Sequence, residues 1–204
     1  SSHHVHAAGD RDGLAGDIGA VVRCQQRNDP GVIFRLAHAL ERHQGFLDAF
    51  VPVTFLGNHD TTRIASLLAD IRHLPHALVV LFGVGGTPVV YAGDEQAFRG
   101  MKYEREHGDD EVRPPFPARP EELSSLGRTT FLLHQRLIAF RRERPWLTRA
   151  GTAVTTLTNT TLVCVSGSQD GADRIAFALS LEDEDVALPL PEGSWAVAEG
   201  DAAL

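Results

Sequence analysis

Two stretches place ionisable side chains where an apolar run breaks off. Thr54-Phe55-Leu56-Gly57 runs into Asn58-His59-Asp60-Thr61-Thr62-Arg63, and Pro88-Val89-Val90-Tyr91 runs into Ala92-Gly93-Asp94-Glu95. An apolar run with polar groups at its exit describes a buried parallel strand with a site at its C-terminal end. Neighbouring strands lie about 4.8 Å apart, so Asp60 and the Asp94-Glu95 pair could share one pocket. Two carboxylates suit cleavage of a glycosidic bond, roughly 5 Å apart for retention and farther for inversion. His59 and Asn58 add hydrogen-bonding groups for hydroxyls, a set that fits a sugar better than a phosphate. Blander readings compete. Asp60 or Thr61 could cap the next helix, and Gly93-Asp94 is an ordinary turn dipeptide. Two ionisable side chains at one strand exit exceed what a cap needs, which favours function for His59-Asp60. For Asp94 and Glu95 the structural roles are favoured.

The elements that must hold these residues are legible as alternating periods. Asp29-Pro30 is a cap followed by a first-turn proline, and Ile33, Leu36, Ala37 and Leu40 continue at helical spacing until Gly45. Val53–Gly57 reads as a strand. Ile64, Leu67, Leu68 and Ile71 fall on one helical face up to Pro75, and Leu78, Leu81 and Phe82 continue that spacing to a glycine cluster. Pro88–Tyr91 reads as the next strand. Helix, strand, helix, strand predicts parallel α/β units. Residues 94–123 form a proline-rich loop of a length that is usually functional or disordered. A further helix has Ser124 or Ser125 as cap, Leu126, Thr130, Leu133, Leu137 and Phe140 as its buried stripe, and Pro145 as its stop. From Thr152 the period becomes two: Ile175, Phe177, Leu179 and Leu181, then Val186, Leu188 and Leu190, with Trp195 and Val197 as a last strand. Asn159-Thr160 and Asp170-Gly171 supply the turns.

Composition narrows the classes. The chain has 204 residues, 43% of them hydrophobic, enough for a sizeable core. Its net charge of −8 disfavours a nucleic-acid surface. Arg136, Arg141, Arg142, Arg144 and Arg149 do cluster, at a helix C-terminus where cations are favoured. No window approaches the roughly 18 apolar residues of a membrane helix. Cys24 and Cys164 lack metal spacing and fit a reducing compartment. No leader pattern is visible, so a cytoplasmic setting is expected, with the native N-terminus allowed to lie upstream. Residues 1–28 lack Phe, Trp and Tyr and any core periodicity, and read as a disordered or non-native segment.

The motifs resemble a known family. Phe55-Leu56-Gly57-Asn58-His59-Asp60-Thr61-Thr62-Arg63 resembles the seventh-strand motif of the α-amylase family of glycoside hydrolases. Gly86-Thr87-Pro88-Val89-Val90-Tyr91-Ala92-Gly93-Asp94-Glu95 is similar to its eighth-strand motif. The loop with Arg113-Pro114-Pro115 resembles the loop after that family's eighth strand. The helix ending Arg141-Arg142-Glu143-Arg144-Pro145-Trp146 is similar to its last barrel helix. The resemblance implies a fold that is α/β plus all-β. Residues 29–150 would form the C-terminal portion of a (β/α)8 TIM barrel, and 151–204 a small antiparallel β-sandwich domain. It implies that Asp60 is the third catalytic carboxylate and that His59 bonds the sugar. Asn58 would support the strand end, and Arg63 would pair with neighbouring carboxylates within the substrate-binding group. Asp94, Glu95, Tyr91 and Arg113 would line the pocket or serve structure.

The family's nucleophilic Asp and acid Glu motifs are absent. A whole barrel takes about 250 residues, and this chain supplies about two and a half βα units. The expectation is a fragment of a retaining α-glucan- or α-glucoside-active hydrolase, inactive alone. The alternative is a non-catalytic sugar-binding or assembly module of the same family. No cofactor and no metal site are expected, although the resemblance allows calcium in a longer parent. No nucleic-acid or membrane partner is expected. Hydrolysis, transglycosylation and isomerisation stay open, as do linkage and oligomeric state.

Overall fold

The computed structural model describes residues 43–182, 187 and 189–198. The expectations for residues 1–28, for the helix starting at Asp29-Pro30, and for Val186 and Leu188 lie outside those residues.

Val53–Thr54 (β1) pairs in parallel with Thr87–Pro88 (β2), Val53 opposite Thr87 and Thr54 opposite Pro88. Thr87 N donates to Pro52 O and Val89 N to Thr54 O, both at 2.8 Å. A parallel pair needs a crossover, and here it consists of Ile64–Leu67 (α1) and Leu74–Gly83 (α2). The parallel arrangement matches the alternation in the sequence, but both strands are shorter than their apolar runs. Pro88 has no N–H to give a second neighbour, and each strand has a single partner among the described residues.

The glycine cluster ends α2 at Gly83 as expected, but the earlier helix breaks do not fall where Gly45 and Pro75 suggest. Residues 43–47 are helical straight through Gly45, with His43 and Leu47 buried one turn apart. A Cβ at Gly45 would meet nothing within 4 Å, so this glycine is exposed helix surface and no stop. The predicted helix through Ile71 ends at Leu68, whose ψ of 127° is extended. A 3-10 turn at Ile71–His73 comes next, closed by Arg72 N donating to Asp70 Oδ1 at 2.9 Å. Pro75 lies in the first turn of α2, where its missing N–H is no loss. It opens a helix instead of breaking one.

Helix α2 is the centre of the core, with Leu74, Ala77, Leu78, Val80, Leu81 and Phe82 all buried. Against it pack Ser125–Arg142 (α3) and an antiparallel sheet of Gly151–Leu157 (β3), Thr161–Gly167 (β4) and Arg174–Ser180 (β5), in that order. Ser124 caps α3, its Oγ accepting from Gly127 N at 3.1 Å. Thr130, Leu133 and Leu137 are buried as the stripe requires. Phe177 of β5 approaches α2 so closely that a Cβ on Gly83 would stand 2.7 Å from its ring.

The C-terminal carbonyls of α2 have no partners within the helix, and neighbouring elements supply them. Arg141 of α3 donates to Phe82 O at 2.7 Å, to Val84 O at 2.9 Å and to Gly86 O. Ser166 Oγ of β4 donates to Gly83 O at 2.7 Å. The arginine cluster thus does close a helix, but Arg141 closes the neighbouring one. Burial pushes its guanidinium down to about 10.

The expected β-sandwich is a single sheet among the described residues. Its second layer is α2, which occupies the inner face of β4 and β5. Trp195 and Val197 lie in irregular chain where a last strand was expected. The Trp195 indole donates to Pro191 O at 2.8 Å and the ring stacks on Arg174 at 4.5 Å, local bonds that take the place of a ladder. One buried apolar cluster runs from Leu56 through α2 and α3 to Phe177.

Candidate active site

β1 and the turn after it deliver the first group. Leu56 and Gly57 are buried, and the chain then folds on itself through Asn58. Asn58 Oδ1 accepts from Asp60 N at 2.9 Å, and Asn58 N donates to Thr61 Oγ1 at 3.1 Å. A side chain bonding its own backbone two residues on makes a rigid turn, and this one sends His59 and Asp60 outward. The capping alternative is thereby removed. The cap of α1 is Arg63, and no side chain serves it.

Asp60 is open to solvent, its side chain 64% exposed. His59 Nε2 stands 3.1 Å from Asp60 Oδ2, and Arg113 Nη2 stands 3.6 Å from Asp60 Oδ1. Arg113 also pairs with Asp109, one helical turn earlier in the chain. The result is an exposed carboxylate flanked by an imidazole and a guanidinium at the exit of a parallel strand. Such a group can accept hydrogen bonds from hydroxyls and stabilise positive charge.

The β2 exit is built differently. Asp94 is 5% exposed and pairs with Arg63, itself 2% exposed, at 2.8 Å. Burial pushes the Asp94 carboxyl up to about 6, against the opposing pull of the Arg63 guanidinium. Glu95 accepts from Gly93 N and from Gln96 Nε2, both at 2.8 Å, and so closes its own turn. The carboxylates of the two strands therefore form no shared pocket. Arg63 captures Asp94 below the surface and leaves Asp60 alone above it. A Cβ at Gly57 would sit 3.4 Å from Asp94 Oδ2, so the glycine lets this carboxylate close against β1.

Arg63, expected among the substrate-binding residues, is a buried tie. Nε donates to Val112 O at 2.9 Å, Nη2 to the same carbonyl at 2.6 Å, and Nη1 to Ala92 O at 2.8 Å. Its guanidinium lies 4.1 Å from the centre of the Tyr91 ring, whose hydroxyl donates to Val112 O at 3.4 Å. Arg63 thus has no face left for a ligand. Tyr91 is its platform. The long loop is pinned beside it: Arg63 N donates to Gly100 O at 3.0 Å, Gly100 N to Ser66 Oγ at 3.0 Å, and Lys102 N to Thr62 Oγ1 at 2.9 Å. Val112, next to Arg113, is wholly buried. Sequence reasoning missed this anchoring because its acceptors are backbone carbonyls, which have no residue signature. His134 is a buried helix residue with Nδ1 2.9 Å from Thr130 O.

Among the described residues no three His, Cys, Asp or Glu side chains converge as a cation site. No described helix is long and apolar enough to cross a membrane.

Comparisons with known proteins agree on one family. A family model described as alpha amylase, catalytic domain, matches residues 25–148. A 4-alpha-glucanotransferase of Thermotoga neapolitana is 29% identical over 128 residues, which cover 50% of this chain and 28% of that protein. The solved structure of CldA, a cyclomaltodextrin glucanotransferase with a three-domain ABC distribution, matches with a TM-score of 0.63 and 25% identity. That match covers 82% of this chain and 31% of that one. The cyclic alpha-maltosyl-(1→6)-maltose hydrolase of Arthrobacter globiformis, at 22% identity and TM-score 0.61, shares the fold over 80% of this chain and 36% of its own. The chain spans less than a third of the first two relatives.

Proposed function

The chain belongs to the alpha-amylase family, and from that premise we propose that it contributes the last strands of a glycosidase or glucanotransferase barrel acting on α-glucans. The observation that carries this reading is Asp60, exposed at the exit of β1 with His59 at 3.1 Å and Arg113 at 3.6 Å. In this role Asp60 accepts hydrogen bonds from sugar hydroxyls and stabilises the oxocarbenium-like transition state, a charge that a nearby anion favours. His59 bonds the same sugar. Arg113 holds the carboxylate's orientation, and Arg63 with Asp94 fixes the loop that carries it. The nucleophile and the general acid come from barrel strands other than β1 and β2.

Two further observations support the reading. β1 and β2 each keep one open edge among the described residues, and Val53 and Val89 beside those edges are 47% and 45% exposed. Native sheets cover such edges, and further barrel strands would do so. The hydrolase of Arthrobacter globiformis was solved with cyclic alpha-maltosyl-(1→6)-maltose, a ligand of the class proposed.

The test is a chimera in which residues 43–150 replace the matching segment of the Thermotoga neapolitana glucanotransferase. It is expected to turn over maltooligosaccharides, and Asp60→Asn is expected to lower kcat by roughly 10²- to 10³-fold. The 204-residue chain alone is expected to show no turnover. A chimera equally active with Asp60→Asn would refute the assignment.

A further inference from the structure

A groove of about 420 Å³ lies away from the strand exits, between the turn after α3 and the β4–β5 hairpin. Its first wall is the 3-10 turn Pro145–Arg149, which contributes Trp146, Thr148 and Arg149. That wall is anchored. Leu147 and Ala150 are fully buried, and Gly86 N donates to Thr148 O at 3.1 Å. The second wall is the hairpin turn, which contributes Gln169 and Asp170. It too is held, by Ser168 Oγ donating to Asp170 Oδ1 at 2.6 Å and Asp173 N donating to Ser168 Oγ at 3.0 Å. Gly171 N closes the turn on Ser168 O at 3.0 Å, with Gly171 at φ 72°.

The groups facing this space are unspent. Among the described residues the Trp146 indole N–H, the Arg149 guanidinium and the Gln169 amide make no hydrogen bond, and Asp170 Oδ2 has no partner. One cation and one anion cancel, so the groove has no net field to select a phosphate or a metal ion. It offers an aromatic surface together with both donors and acceptors. A neutral polyol needs that combination, since its ring carbons want an apolar face and its hydroxyls both give and accept. Two walls fixed before binding spare the ligand the cost of ordering them.

We infer that the Trp146–Gln169 groove is a second carbohydrate-binding site, which holds a stretch of α-glucan away from Asp60. The choice of glucan over other sugars rests on the function proposed above; the polyol chemistry does not. None of the groove's residues belongs to the strand-exit cluster. The site would keep a polymeric substrate near the barrel without touching the reacting bond.

The chain's two tryptophans make the test direct. In the full chain with Trp195→Phe, Trp146 is the one tryptophan left, and its emission is followed while maltoheptaose is added. A saturable change with a Kd of roughly 1 mM is expected, weak because the groove is open. Arg149→Ala with Gln169→Ala should raise that Kd at least about tenfold, while near-ultraviolet circular dichroism stays unchanged. Asp60→Asn should leave the titration as it was. No saturable change, or the same Kd in the double variant, overturns the inference. An inactive chimera would sink the reading of Asp60 and leave this binding measurement intact. A response to cellohexaose, a β-linked glucan, equal to that for maltoheptaose would overturn the α-glucan assignment.

Discussion

Arg63 and Asp60 are three residues apart and have opposite fates, which shows what decides a side chain's work at a strand exit. Asp60 leaves through a turn held by Asn58 and stays in water. Arg63 turns inward and finds Asp94, Ala92 O and Val112 O, the last 49 residues away in sequence. An ionised buried pair is stable only while both partners are present, because either one alone is an uncompensated charge. Arg63→Ala is therefore expected to cost about 3–5 kcal/mol, read as a lower urea midpoint at unchanged slope. Arg63→Met combined with Asp94→Leu should recover much of that loss. A single variant as stable as the parent would show that the tie contributes nothing. The exposed carboxylate was legible in the sequence because an ionisable residue after an apolar run has few other reasons to be there. Of the tie, the pairing of Arg63 with a neighbouring carboxylate was expected from the resemblance and Asp94 provides it, whereas Ala92 and Val112 were hidden because they accept through carbonyls that every residue carries.

Elements obey the same rule, local signals being legible and long-range ones not. The period of two over Ile175–Leu179 marks β5, and Ser124 marks the start of α3, because both depend on near neighbours along the chain. The break at Leu68 and the passage through Gly45 depend on what packs against them, and the residues themselves do not record it. The α2–α3 contact has a further consequence. His134 of α3 lies edge-on to Phe82 of α2 with ring centres 5.9 Å apart, and its Nε2 is buried without a partner. Burial lowers its pKa from 6.5, opposed by the Thr130 carbonyl and by Glu95. His43, donating to Gly85 O at 2.9 Å, is lowered by the same cause. A histidine whose folded pKa is depressed stabilises the fold fully above about pH 6.5, and that stability is lost as the pH falls toward the folded pKa. Each such group changes stability by about 1.4 kcal/mol per pH unit within that window. Asp94, raised to about 6, acts in the opposite direction, so a comparison of variants is needed to isolate the histidine. His134→Leu keeps the packing on Phe82 and removes the titration. Its Tm is expected to rise relative to the parent as the pH goes from 7 to 5. A difference independent of pH would mean that His134 does not titrate there.

At the scale of the whole molecule, residue 150 divides the chain in sequence more sharply than in space. The change of period there suggests a barrel portion and a separate sheet domain. Yet the buried cluster passes from Leu56 and α2 into Leu162, Cys164 and Phe177 without interruption. Polar links cross the same line: Ser166 Oγ to Gly83 O at 2.7 Å, Gly85 N to Thr152 Oγ1 at 3.4 Å, and Thr152 N to Gln44 Oε1 at 3.0 Å. A sheet of three strands has one face to bury, and α2 is what covers it. Removing that cover would expose the apolar face and leave Gly83 O without its donor. The described residues should therefore unfold as one cooperative unit, with α2 and β4 amides opening together in hydrogen exchange. Phe177→Ala gives the sharper form of this test. It deletes a large ring at the α2 contact and is expected to cost about 3–5 kcal/mol. If the two parts are one unit, that loss lowers the protection of α2 amides as much as that of β4. Loss confined to β3–β5 would show that the sheet folds on its own and only rests against the helix.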